Sequence, residues 1–334
     1  MESSYRKSDS FDKVKVDIMS NYKPPYTITS KMVNIISSIS EELTTIEHNK
    51  KNIITPQLRK KNRIKTLAGT LEIEGNFMGE DKITAILEGK PVLGTMLEVA
   101  EVKGAIEAYK KLEKYKYNDI NSLLDAHKIL MNETLTTAGT FRAVNVQVGS
   151  HIAPPHGVVS DLMQDLFDWL KNSDEHPLIK SCVFHYEFEF IHPFSDGNGR
   201  IGRLWQSVIL YNWKEVFSAI PTESIVRDYQ QQYYDALEDS TTNGQSTIFI
   251  EFMLEVILKT VKKQIVKSNH KSNQKSNQKI ISSIKKNKNI TIRELCEKTA
   301  LSESGVKKII KKLKDENRLI RVGGLKGGYW KISE

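Results

Sequence analysis

The sequence predicts a mainly α-helical protein with one β-hairpin, followed by a small C-terminal unit of three helices and two strands. Three observations lead there. Apolar residues recur at steps of three and four through most of the first 265 positions, the spacing of one buried helical stripe. A single stretch, 142-RAVNVQVGSHIAPP-155, alternates β-branched with polar residues around Gly149 and Ser150, as a hairpin does. Composition then changes: from Val261 onward 20 Lys and Arg face 6 Asp and Glu, against 29 and 35 before it.

Length and composition agree with this outline. A chain of 334 residues exceeds what one core usually covers, so two folded units with extensions are expected. With 39% hydrophobic and 27% charged residues, wholesale disorder is excluded. No apolar run approaches the roughly 20 residues of a membrane span, and MESSYRKSDSFDKVK lacks a secretory signal's apolar segment,. These features point to the cytoplasm and to no membrane partner. Cys182 and Cys296 lie far apart, which suggests neither a disulfide framework nor a metal cluster. The net charge of +8 belongs to the tail, so only the tail hints at a polyanionic partner.

Taken in order, residues 1–26 read as a polar arm. Thr29 then serves as N-cap to a helix with the stripe Met32, Ile35, Ile36, Ile39, Leu43 and Ile46,. Further stripes run through Val99, Val102, Ile106 and Tyr109, through Ile120, Leu123, Leu124, His127 and Met131, and through Val159, Leu162, Met163, Leu166 and Trp169. The hairpin over 146–153, alone among helices, reads as a flap. The helix through Phe249, Met253, Val256, Ile257 and Val261 runs into 267-KSNHKSNQKSNQK-279, whose composition buries little, so 266–279 reads as a flexible linker. Beyond it, 280-IISSIKK opens a helix, two more flank a turn at Leu301 to Ser304, and 319-LIRVGGLKGGYWKI offers two strands joined by a Gly-rich wing. Residues 280–334 thus resemble a winged helix-turn-helix, with Ser304 to Leu313 as its second helix.

The chemistry concentrates in 191-IHPFSDGNGRIGRLW-205. His192 ends a helix rich in aromatic residues, and Pro193 forces the chain out of it,. Gly197, Asn198 and Gly199 tolerate a tight path that turns backbone N–H groups inward before Arg200 opens the next helix,. A nest at a helix N-terminus binds anions. Arg200 and Arg203 share one helix face and add two forks suited to phosphate oxygens. Asp196 beside such a nest makes sense if a hard cation, Mg²⁺ or Mn²⁺, bridges the two. His192 remains as the group able to take a proton near neutral pH. Together these parts describe phosphoryl or nucleotidyl transfer.

HPFSDGNGRIGR fits HxFx[D/E]GNGRxxR, and with 124-LDAHKILM-131 and 188-FEFIHPF-194 it resembles Fic (Fido) domain proteins over roughly Tyr26 to Ile265. The resemblance implies a Fic helical core at 118–265 behind an N-terminal helical region at 27–117, and transfer of AMP from ATP to a protein Tyr, Ser or Thr hydroxyl, including the chain's own. In that reading His192 deprotonates the hydroxyl and Asp196 holds the metal against the α- and β-phosphates. Gly197, Asn198 and Gly199 cradle phosphates, Arg200 and Arg203 grip the β- and γ-phosphates, and Ile201 and Gly202 complete the ATP-binding stretch. Val148, Gly149, Ser150 and His151 match the flap stretch that touches nucleotide, while the flap itself pairs with the target chain. Tyr233, Tyr234 and Thr241 fall in 233-YYDALEDSTTNG-244, which resembles the segment closing over adenine and ribose.

A second motif lies at 70-TLEIEGN-76, where Thr70 and Glu74 are one helical turn apart and Gly75 follows as a C′ residue,. It resembles the family's inhibitory motif [S/T]xxxE[G/N], implying a short helix whose Glu74 pairs with Arg203 and keeps a γ-phosphate away. Some members use this glutamate to remove AMP again, so hydrolysis of AMP-protein is a second implied activity. Other readings are a nucleotide-sensing DNA-binding regulator using the lysines at 307, 308, 311, 312 and 314, a Fic enzyme moving phosphate or phosphocholine, and a degenerate binding module. The C-terminal unit over 280–334 offers a contact for DNA or protein, and a homo-oligomer is compatible with the sequence, which does not itself fix the oligomeric state.

Overall fold

Thr29 Oγ1 accepts from the Met32 N–H at 3.2 Å and starts α1 (Ser30–His48), whose Met32, Ile35, Ile39, Leu43 and Ile46 are buried. The structure, a computed structural model, describes residues 22–48, 55–149, 151–324 and 327–333. Positions 1–21 of the expected arm, and Ser150, lie outside the described residues.

Thr55 caps α2 (Pro56–Ile73), with proline at the first helical position, where its missing N–H costs nothing. The 70–76 motif is therefore the end of an 18-residue helix rather than a short one. Gly75, at φ +87°, closes it: its N–H reaches Glu72 O at 3.1 Å and the Asn76 N–H reaches Leu71 O at 3.0 Å, the Schellman pairing that left-handed glycine permits. α3 (Gly79–Leu87) follows, and a Thr95–Glu98 capping box opens α4 (Met96–Lys110),. α5 (Ile120–Leu130) then leads to the hairpin, β1 (Gln147–Val148) and β2 (His151–Ile152), paired antiparallel as Gln147 with Ile152 and Val148 with His151.

α6 (Val159–Asn172), α7 (Pro177–Ile191) and α8 (Asn198–Trp213) come next. α7 buries Leu178, Cys182, Phe184, His185, Glu187 and Phe188 alike, so it shows no amphipathic stripe, as befits a helix packed all round. It separates two apolar clusters, one gathering α1 and the segment Phe249 to Val261, the other gathering α2, α4, α5, α6 and α8. His192, at φ 50°, turns the chain out of α7, and Gly197, at φ 82°, starts α8. α9 (Thr222–Asp228) and α10 (Gln230–Thr242) complete this unit with α11 (Thr247–Lys286).

α11 overturns one expectation: 266–279 is helical, within a single 40-residue helix, rather than a flexible linker. The tetrads contain neither Gly nor Pro, and their Lys and Gln are good helix formers. Apolar anchors lie at both ends, Phe249 to Val261 in one core and Ile280 and Ile284 in another. A helix nucleated at its ends continues at little cost per residue. For the same reason 280-IISSIKK is the end of α11 and not a new helix. α12 (Ile292–Thr299), α13 (Glu303–Asp315), β3 (Leu319–Val322) and β4 (Tyr329–Ile332) pack around Ile290, Leu295, Val306, Leu313 and Trp330. β3 and β4 pair antiparallel, and Ser302 caps α13. The result is a winged-helix unit. Among the described residues no helix is long and apolar enough to cross a membrane.

Candidate active site

A cleft of about 770 Å³ opens where the end of α2, the hairpin, α7, the start of α8 and α10 meet. Glu74, Val148, Gly149, His151, His192, Gly199, Arg203, Tyr233, Tyr234 and Thr241 line it, bringing together residues from five separate stretches of sequence. Asp196, Gly197, Asn198, Arg200, Ile201 and Gly202 do not line the cleft. Ile201 is fully buried, and Gly202 packs against Glu189 and Phe188.

The loop after α7 is braced by side chains turned onto backbone. Asn198 Oδ1 accepts from the Phe194 N–H at 2.9 Å, and its Nδ2 donates to Phe194 O at 2.8 Å. His127 stacks on Phe194 with centroids 3.6 Å apart. Its Nδ1 accepts from the Gly139 N–H at 2.9 Å, which leaves Nε2 to donate to Asp196 O at 3.0 Å. Burial holds His127 down to about 4, so this brace stays neutral. At the start of α8 no side chain caps the helix, and its first-turn N–H groups have no partners within the helix. They and the helix dipole make an anion site.

Arg203 is 2% exposed and spends three donors on α2. Nε reaches Thr70 Oγ1 at 3.0 Å, and Nη2 reaches Thr70 O at 3.1 Å and Glu74 Oε1 at 2.6 Å. Glu74 Oε1 stands so close to Gly199 that a Cβ there would clash with it, so the carboxylate occupies the mouth of the anion site. Behind Arg203, Tyr109 and Ser207 hydroxyls both donate to Glu223 Oε1, at 3.3 and 2.7 Å. Arg200 points away from the cleft: Nη1 binds Glu101 at 2.9 Å and Nη2 binds Asp196 at 3.1 Å.

Burial pushes the His192 imidazole below its ordinary range, with the nearby Glu189 backbone pulling it back up and Arg142 and His151 lowering it further. The ring is therefore neutral, able to accept a proton, at neutral pH. Glu189, beside Arg203, is raised to about 8 by desolvation, a rise that Arg203 opposes. Tyr233 donates no charge to the cleft: it is buried and its hydroxyl pairs with His185 Nε2 at 2.9 Å.

Asp196 is the carboxylate that the sequence motif assigns to a divalent cation. Its side chain is 57% exposed and already binds Arg200, and among the described residues no group of three His, Cys, Asp or Glu side chains is set for a metal. One open carboxylate fits Mg²⁺ bound chiefly through nucleotide phosphates and water.

Residue-type patterns missed several lining groups: Tyr186, Glu189, Phe190, Leu237, Glu238 and Thr242. Their spacing was the available signal, since 186, 189 and 190 share one face of α7 and 234, 237, 238, 241 and 242 one face of α10. Arg142 and Glu101 were likewise unmarked.

Known proteins resemble this chain in sequence and fold. The Fic/DOC family model matches residues 117–210, and a winged helix-turn-helix DNA-binding model matches 274–319. The protein adenylyltransferase Fic of Culex quinquefasciatus is 31% identical over 192 residues, covering 54% of this chain and 37% of that protein. The protein adenylyltransferase fic-1 of Caenorhabditis elegans is 25% identical over 222 residues, 63% of this chain and 42% of its own length. The chain thus spans less than half of these curated relatives. Among solved structures, a Fic family protein from Desulfovibrio desulfuricans G20 superposes with a TM-score of 0.72 at 35% identity, covering 93% of this chain and 98% of that one. Fic-1 of C. elegans (residues 134–508) shares the fold, with a TM-score of 0.59 at 20% identity over 72% of each chain.

Proposed function

Because the chain belongs to the Fic family, we propose that it is a protein adenylyltransferase, which moves AMP from ATP to a Tyr, Ser or Thr hydroxyl of a protein, itself included. The observation that carries this reading is one juxtaposition. A neutral, half-buried imidazole, His192, and a helix N-terminus with Gly199 and Arg203 line the same cleft, and Glu74 sits on Arg203 at its mouth. The triphosphate lies along the start of α8, its charge met by first-turn N–H groups and Arg203. Asp196 would hold Mg²⁺, which neutralises phosphate charge when bound. His192 takes the target's hydroxyl proton as the oxygen attacks the α-phosphorus and pyrophosphate leaves.

In the resting arrangement Arg203 is engaged with Glu74. A guanidinium bonded to that carboxylate cannot also bind a γ-phosphate there, so ATP binds without in-line alignment and transfer is slow. The same Glu74, freed, can orient water for removal of AMP. To test the assignment, wild-type, Glu74→Gly and Glu74→Gly/His192→Ala chains are incubated with Mg-ATP and mapped by mass spectrometry. The single variant should gain one AMP per modified hydroxyl, and the double variant none. Phosphate or phosphocholine in place of AMP would reassign the transferred group.

A second reading concerns the C-terminal unit, whose match is to a DNA-binding model. α13 turns Val306, Ile310 and Leu313 inward and leaves Lys307, Lys308, Lys311 and Lys312 outside. A lysine-lined second helix suits phosphate contact in a major groove. A gel-shift titration across salt, with no duplex retained at low salt, removes this partner and leaves the transferase reading intact.

A further inference from the structure

Arg142 is 3% exposed, yet all its partners are backbone carbonyls. Nε donates to His192 O at 2.8 Å, Nη1 to Val144 O at 2.8 Å, and Nη2 to Pro154 O at 2.5 Å and Ile191 O at 3.3 Å. Its own N–H donates to Pro193 O at 2.9 Å. Buried arginines usually sit on carboxylates, because an unpaired charge is expensive to desolvate. This one instead spans two segments. Ile191 and His192 form the exit of α7; Val144 and Pro154 are the two roots of the hairpin.

The hairpin cannot orient itself. Its strands are two residues each, and so short a ribbon is marginal alone. Besides Arg142, His151 joins it to α7, with Nε2 on Phe190 O at 2.8 Å. His192 is equally dependent, since its left-handed backbone turns its carbonyl to where Nε collects it. One planar fork thus measures the distance between the flap and the base. A lysine, with a compact ammonium, cannot reach both sides.

We propose that Arg142 is a positioning residue for AMP transfer, a clamp that sets the height of flap 146–153 over His192 and so decides whether a docked target hydroxyl meets the base. The proposal rests on the adenylyl-transfer reading. It locates target alignment in a residue that touches neither nucleotide nor target.

The groups facing His192 are Arg142 from the strand root, His151 from β2, Glu74 from α2 and the Glu189 backbone from α7. In a Glu74→Gly chain the acid is gone, and Arg142 remains as the charge acting most strongly on the ring. Its loss lets the imidazole protonate more readily and moves the acid limb of the rate upward in pH.

The test compares full-length Glu74→Gly with Glu74→Gly/Arg142→Lys and Glu74→Gly/Arg142→Gln. AMP transfer is read on a His192→Ala copy of the chain, which cannot modify itself, at varied acceptor and ATP. Arg142→Gln should lower kcat/KM for the acceptor by about tenfold or more, as misplacement of a reacting group does, with the ATP KM little changed. Its acid limb should move to higher pH, and amide exchange at Ala153, whose N–H donates to Val146 O, should quicken. Arg142→Lys should restore the acid limb but not the acceptor kcat/KM. An unchanged acceptor kcat/KM in the Gln variant overturns the proposal, and so does a rise in ATP KM as large as the loss in acceptor kcat/KM, which would mark a fold-wide defect. Failure of both variants to bind ATP, seen by calorimetry, likewise shows that Arg142 holds the core and not the flap. A Glu74→Gly parent that transfers nothing defeats the adenylyl-transfer reading and this proposal with it; an active parent with unaltered variants defeats this proposal alone.

Discussion

Replacing Glu74 with glycine removes the one carboxylate bound to Arg203 among the described residues, and the structure sets the size of the effect. The Glu74–Arg203 contact is 2.6 Å, with side chains 30% and 2% exposed, so water screens it from one side only. A hydrogen bond between charged partners of this kind contributes about 1.5–3 kcal/mol net. If the closed arrangement is favoured by about 2–3 kcal/mol, only about 0.6–3% of molecules present a free Arg203 to a γ-phosphate. Release should then raise the initial rate of AMP transfer by about 30- to 150-fold at low ATP. Glu74 is also the C-cap of α2, so Glu74→Gln serves as the companion change: it keeps the helix end and removes only the charge. The assay is incorporation of label from ATP into the chain, as initial rates over a range of ATP, with circular dichroism and calorimetric ATP binding as controls. A folded Glu74→Gly protein that binds Mg-ATP and transfers AMP no faster than wild type would refute the reasoning. So would a Glu74→Gly/His192→Ala chain as fast as the single variant.

Thr70→Val deletes the neutral acceptor of Arg203 Nε and should release the site less, by about fivefold for a hydrogen bond worth about 1 kcal/mol, in the same rate assay. Gly199→Ala places a Cβ in clashing range of Glu74 Oε1 and 2.9 Å from Arg203 Nη1. It should lower unfolding free energy, and combination with Glu74→Gly should recover about 1–3 kcal/mol of that loss in a double-mutant cycle; strict additivity would disprove the clash. Glu189 is raised to about 8 by desolvation from an unfolded value near 4.5, so its stabilising contribution is lost as pH rises through that window. Glu189→Gln should therefore be nearly neutral in urea unfolding at pH 5 and stabilising by on the order of 3 kcal/mol at pH 8.

What could be read in the residues, and what could not, divides along a physical line. The loop from His192 to Arg203 was legible because its chemistry is local: proline, glycines and arginines within twelve positions dictate a turn, a nest and a helix start,. α1 was legible because one face is buried and the other is wet,. α7 gave no stripe, since both its faces are covered. The tetrads of 267–279 misled because composition reports how much surface a segment can bury, whereas a helix anchored at both ends needs only to avoid breakers. Glu74 could be matched to Arg203 only through family resemblance; 129 positions separate them, and neither residue type names the other.

The clamp at Arg142 lies beyond any such pattern. Its partners are carbonyls of Val144, Pro154, Ile191 and His192, and every residue type carries the same carbonyl. A motif can declare a base and a phosphate nest, because those functions reside in side chains or in the lack of one. The distance between base and flap resides in the backbone, so it can be set by a single arginine that sequence alone leaves indistinguishable from a surface charge. That is why the gap between binding ATP and modifying a protein should open at Arg142: a substitution that spares the nest spares the nucleotide, while a flap shifted by even about 1 Å can cost on the order of a hundredfold in transfer.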